Sequence, residues 1–261
     1  MIRRIYRMEH EGRPRHAIEQ NGEWRLVEGD VFGEHELGDA IPSSGHYLLP
    51  PVQPSKIVAI GLNYKDHAAE QNKPLPAEPM MFLKPSTCVI GPDEPIVLPQ
   101  GAGRIDHEAE VGVVIGQRAW HVSEDQAHRY VFGITCVNDV TARELQTKDI
   151  QYTRAKGFDT FGPIGPCVAQ GLDFMAAGGL AVEGWVNGQR RQASSTRELI
   201  FPIPKLIAFI SSVMTLLPGD VISTGTPAGI GPLQPGDRVT IRVEGVGELT
   251  NPVGQGIRLN K

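Results

Sequence analysis

Residues 104–116, RIDHEAEVGVVIG, place two glutamates at the head of an apolar, β-branched run. Side chains along a strand alternate between faces, so Glu108 and Glu110 are neighbours on one face. Adjacent carboxylates repel, and each raises the other's pKa unless a cation lies between them. A third acid, Asp139, ends the strand-like GITCVND. If the two strands lie together, three carboxylates converge. An oxygen-only set of this kind suits a hard ion, Mg²⁺ or Mn²⁺ ahead of Ca²⁺. The spacing equally admits a solvated edge strand with alternating acids.

His67 and Glu70 stand three apart in DHAAEQ. On a helix they are neighbours, and the carboxylate would orient the imidazole and raise its basicity, as a general base requires. An exposed polar pair has the same spacing. The glycines of STGTPAGIG fit neither a P-loop, because no Gly-Lys-Ser/Thr follows, nor a dinucleotide turn, whose downstream acid is missing. They make either an ordinary loop or a tight turn whose N–H groups, with the Thr226 hydroxyl, hold a substrate carboxylate. His107 points away from Glu108 across the strand, and no second histidine follows at zinc-site spacing. GxSxG is absent, and Cys88, Cys136 and Cys167 are far apart, which argues against nucleophilic serine chemistry, zinc ribbons and disulfide frameworks.

Such residues need a scaffold. The chain has 261 residues, a formal charge of −5, 30 glycines and 21 prolines, enough for one main turn-rich, β-rich domain. Charge comes in no block, so neither nucleic acid nor an anionic membrane is indicated as partner, and a small molecule is expected. No apolar run follows MIRRIYRMEH, and LIAFISSVMTLL is too short to span a bilayer, so a soluble, cytoplasmic protein is expected.

Residues 1–54 read as a small N-terminal β-hairpin element, turning at Asn21-Gly22, and a linker with Pro50, Pro51 and Pro54. Residues 55–261 form the main domain. A second hairpin turns at Asn187-Gly188. DHAAEQ, SEDQAHRYVF and TARELQTKD read as helices, the last two with capping residues, and NKPLPAEP as a loop able to act as a lid. PKLIAFISSVMTLL is the one amphipathic helix, ending at Pro218-Gly219.

GLNYKDHAAE, EPMMFLKPST, DHEAEVGVVIG, NDVTARELQ, YTRAKGFDTFGPIGP and STGTPAG follow one another in this order. In these motifs, from about Lys56 onward, the chain resembles the smaller, bacterial-type members of the fumarylacetoacetate hydrolase family. The resemblance implies a mixed α/β, β-rich fold with a β-roll core, a homodimer, and Mg²⁺ or Mn²⁺ on carboxylates matching Glu108, Glu110 and Asp139. It implies catalytic roles for His67, Glu70 and Lys156, and a substrate site lined by Lys84, Arg143, Gln146 and Thr226. The expected substrate is a 2-oxo acid and the first expectation is hydrolysis of a C–C bond in an acylpyruvate-like compound. Isomerisation of a 2-hydroxyhepta-2,4-diene-1,7-dioate in aromatic catabolism and decarboxylation of oxaloacetate use the same groups. A non-catalytic metal-binding homologue is the remaining alternative, and the intact His67, Glu70 and Lys156 count against it.

Overall fold

The computed structural model describes residues 2–258. Twelve strands form one mixed sheet, five form a second and three a third. The large sheet runs in the order His35–Ile41, Glu23–Gly29, Arg13–Gln20, Arg3–His10, Gly162–Gln170, Val131–Asn138, Ala109–Ile115, Val221–Ser223, Lys56–Gly61, Met80–Pro85. Val221–Ser223 and Lys56–Gly61 are parallel, while the other neighbours along this path are antiparallel.

Both Asn-Gly turns form. Asn21 and Gly22 have φ of 57° and 80°, Asn187 and Gly188 of 51° and 76°. Two successive left-handed residues give a two-residue turn whose twist matches its strands, and Asn and Gly tolerate that conformation best. The N-terminal meander is continuous with the main sheet, because Arg4 pairs with Ala169.

Met80–Pro85 lies four places from Val131–Asn138 in the strand order. In a flat sheet that separation is about 19 Å. Yet Lys84 Nζ, on the former strand, donates to Asp139 Oδ1 at 2.5 Å, just past the end of the latter. Val89–Ile90, immediately downstream, pairs with Gly162–Pro163. The sheet therefore curls onto itself as a β-roll. Ala109–Ile115 is buried on both faces: Val111, Val113 and Ile115 join the main core, and Val114 joins a second cluster with Ile57, Val137 and Ile164. Val182, Val239, Ile241 and Leu249 of the five-stranded sheet complete the main core.

Four α-helices occur among the described residues: α1 Lys65–Glu70, α2 Arg143–Asp149, α3 Thr153–Lys156 and α4 Ile203–Val213. The amphipathic helix α4 buries Ile203, Leu206, Ile207 and Ile210, each worth about 1.5–3 kcal/mol. It ends at Val213, earlier than Pro218-Gly219, because Leu216 and Ala119 exchange two backbone hydrogen bonds of 2.9 Å that hold the chain extended. SEDQAHRYVF gives a 3₁₀ run, Glu124–Tyr130, with no side-chain cap from Ser123. Thr141 does not cap α2 either, since its hydroxyl donates to the Asp139 carbonyl at 2.8 Å. No helix among the described residues is long and apolar enough to cross a membrane.

Candidate active site

Strand register gathers the acids. Ala109 pairs with Asn138 and Glu110 with Val137, so the next position along the ladder sets Glu108 opposite Asp139. The Asp139 N–H donates to the Glu108 carbonyl at 3.0 Å. Directly opposed residues and those two apart share a face, so Glu108, Glu110 and Asp139 do. An oxygen from each lies within 4.8 Å of the others. Glu108 is 4 % exposed and Glu110 1 %, which rules out a solvated edge.

Different neighbours hold each carboxylate. Glu108 accepts from Lys156 Nζ at 2.7 Å and from Arg143 Nη2. Burial would raise its pKa, but the two cations outweigh burial and hold it well below the usual carboxylate range. Asp139 accepts from Lys84 and Lys156, each at 2.5 Å. Burial opposes the charge on Lys156, yet Asp139 and Glu108 overcome it and raise the lysine's pKa. Glu110 has no cation in contact among the described residues; its Oε2 accepts from Ser223 Oγ at 2.5 Å and Gly225 N at 2.8 Å. Burial, then Asp139 and Glu108, push its carboxyl up to about 8. The glycine turn of STGTPAG thus binds a carboxyl group, and that group is the protein's own Glu110.

His67 Nδ1 lies 2.8 Å from Glu70 Oε2, and Gln71 Nε2 lies 2.7 Å from His67 Nε2. With the Gln71 amide oriented as donor, Nε2 is the acceptor and Nδ1–H donates to Glu70. Gly229 N donates to Glu70 Oε1 at 3.0 Å, tying α1 to the glycine-rich loop. His67, Glu108, Glu110, Arg143, Gln146, Lys156 and Thr226 line one pocket. Lys84 does not line it; fully buried, it stands behind Asp139. Gln146 Oε1 accepts from Arg143 Nη1 at 3.0 Å, and Thr226 Oγ1 donates to the Ala109 carbonyl at 2.9 Å.

Several supporting residues escaped the sequence reading. Asp106 accepts from Arg143 Nε at 2.8 Å and so aims the guanidinium at Glu108. It extends the alternation to Asp106, Glu108, Glu110, a signal present in RIDHEAE. Gln192 accepts from Ala109 N at 2.9 Å and from His107 Nδ1, and donates to Thr226 Oγ1 at 2.8 Å, joining the acid strand to the loop from behind. Nothing around Gln192 in sequence marks that role. Burial lowers the His107 pKa, which leaves this histidine a neutral part of the scaffold.

A β-roll carrying a buried carboxylate trio beside a His-Glu pair defines a class, and sequence comparison agrees. The chain belongs to the fumarylacetoacetate hydrolase family: the family described as fumarylacetoacetate (FAA) hydrolase C-terminal matches residues 56–254. It is 51 % identical over 231 residues to an uncharacterised protein of Archaeoglobus fulgidus, covering 87 % of this chain and 91 % of the relative. Among solved structures, a 5-carboxymethyl-2-hydroxymuconate delta-isomerase from Mycobacterium smegmatis is similar at 42 % identity and TM-score 0.89, covering 97 % of this chain and 100 % of its own. Maleylpyruvate hydrolase from Sphingobium sp. SYK-6, in complex with manganese(II) and pyruvate, is similar at 30 % identity and TM-score 0.81, covering 97 % and 99 %. The trio here fits a divalent cation on its own chemistry: it is buried and all-oxygen, and among the described residues its Glu110 has no cationic side chain in contact.

Proposed function

We propose that this protein is a Mg²⁺- or Mn²⁺-dependent enzyme that hydrolyses a C–C bond of an acylpyruvate-like 2-oxo acid. The observation that carries the proposal is one pocket lined by both Glu108-Glu110 and His67, an electrophile-binding end and a base. Glu108, Glu110 and Asp139 would hold the ion, which when bound supplies electrophilic stabilisation to the oxyanion of the 2-oxo end. His67, its Nδ1–H held by Glu70, takes a proton from water at Nε2 once Gln71 yields that atom. Hydroxide adds to the distal carbonyl carbon, the adjacent C–C bond breaks, and its electron pair leaves as the enolate of the 2-oxo acid. The proton then passes from His67 to that carbon. Lys156 and Arg143 keep Glu108 ionised throughout.

Isomerisation is the second reading, favoured by the delta-isomerase likeness at 42 % identity. It would use His67 to move a proton and require no water. Incubation of the Mg²⁺- or Mn²⁺-loaded protein with acetylpyruvate, oxaloacetate and 2-hydroxyhepta-2,4-diene-1,7-dioate discriminates. The expected result is cleavage of acetylpyruvate, reduced about 10²- to 10⁴-fold by His67→Ala. Turnover of none of the three, with either metal, overturns the enzyme reading.

A further inference from the structure

The pocket carries three long cations, and they differ in what they pair with. Arg143 is committed to Asp106 and Glu108, and Lys156 to Glu108 and Asp139. Lys73 lines the same pocket and makes no ion pair among the described residues.

Its position is set by how α1 ends. Asn72 adopts φ of 50°, a left-handed conformation that asparagine tolerates. Asn72 N donates to the Ala69 carbonyl at 3.1 Å and Lys73 N to the Ala68 carbonyl at 3.0 Å. These bonds satisfy the helix's last carbonyls and turn the chain back on itself, and Pro74 then restricts Lys73 to extended backbone. Lys73 therefore lines the pocket with His67 and Gln71 of the same short element. Phe82 and Tyr152, packed edge to face at 5.3 Å, contribute an apolar wall together with Ile60 and Met80. A carboxylate cluster, an apolar wall and an unpaired ammonium complement a molecule of matching polarity.

We propose that Lys73 is a specificity-determining residue that pairs with a second carboxylate at the far end of the substrate, selecting 2-oxo dicarboxylates over 2-oxo monocarboxylates. This rests on the 2-oxo acid reading above. Lys73 is exposed, so the pair is worth at most about 1 kcal/mol, on the order of fivefold in affinity.

The test is calorimetric binding of 2-oxoadipate and 2-oxohexanoate, six-carbon 2-oxo acids differing in the distal carboxylate, to the Mn²⁺-loaded protein. The expected result is preference for 2-oxoadipate by roughly fivefold, lost in Lys73→Met through weaker dicarboxylate binding alone and kept in Lys73→Arg. Equal affinities for both acids in the wild type, or a preference that survives Lys73→Met, overturns the role of Lys73 while leaving the 2-oxo acid reading standing. If neither acid binds, that reading fails and the proposal falls with it.

Discussion

Glu110 concentrates the electrostatic problem of the site. Lys84, Lys156 and Arg143 neutralise Glu108 and Asp139, whereas Glu110 faces both acids with, among the described residues, a hydroxyl and an amide for support. Its carboxyl pKa of about 8, against 4.5 ordinarily, means that the metal-free folded protein binds a proton the unfolded chain releases. The associated stability is complete below about pH 4.5 and is lost as pH rises through about 8. A cation at the trio must displace that proton, so Mn²⁺ affinity should rise with pH, up to about tenfold per unit, before levelling near pH 8. Melting temperatures with EDTA and with Mn²⁺, taken from pH 5 to 8, should diverge as pH increases. A constant gap would show that Glu110 is already ionised without metal. Glu110→Ala should abolish Mn²⁺ binding, and unchanged affinity in a Mn²⁺ titration would refute the site.

At the scale of elements, the site is a junction between two strands, helices α1, α2 and α3, and one glycine-rich loop. The loop presents Gly225 N to Glu110, Thr226 to the pocket and Gly229 N to Glu70. Gly225 has φ of +100°, and a Cβ there would come within 2.8 Å of Asn63 Cβ. Gly236 has a similar φ of +94° but open space around it. Gly236→Ala should cost about 1–2 kcal/mol from backbone strain alone. Gly225→Ala should cost more and should also weaken Mn²⁺ binding, because the displaced loop no longer holds Glu110. Urea midpoints and Mn²⁺ titrations of the two variants, side by side, check this. Equal losses with unchanged metal affinity would mean that the loop does not position the acid.

At the scale of the molecule, the roll brings distant strands to the same carboxylates. Lys84 and Asp139 are separated by 55 positions in sequence and by four places in the sheet, yet both are buried in one ion pair. Lys84→Met would leave a buried charge with one of its two cations, and removing one partner of a buried pair costs about 3–5 kcal/mol. Chemical unfolding should show a loss of that order, whereas a loss below about 1 kcal/mol would mean that Lys156 alone satisfies Asp139.

By itself, the sequence determined what depends on local chemistry. The two Asn-Gly turns follow from left-handed tolerance, and the common face of Glu108 and Glu110 from the two-residue period of a strand. Burial on both faces of Ala109–Ile115 follows from its β-branched run, and the family follows from six motifs in order. Tertiary structure alone decided what depends on pairing. Register set Asp139 opposite Glu108, and closure of the roll turned Lys84 from a pocket residue into a counter-ion behind Asp139. Gln192 became the link between acid strand and loop because another sheet delivered it there. The extended segment after Val213 formed because Ala119 offered Leu216 backbone partners that the helix could not supply. Local propensity cannot report such contacts, because each one's energy is realised only when residues far apart in sequence meet.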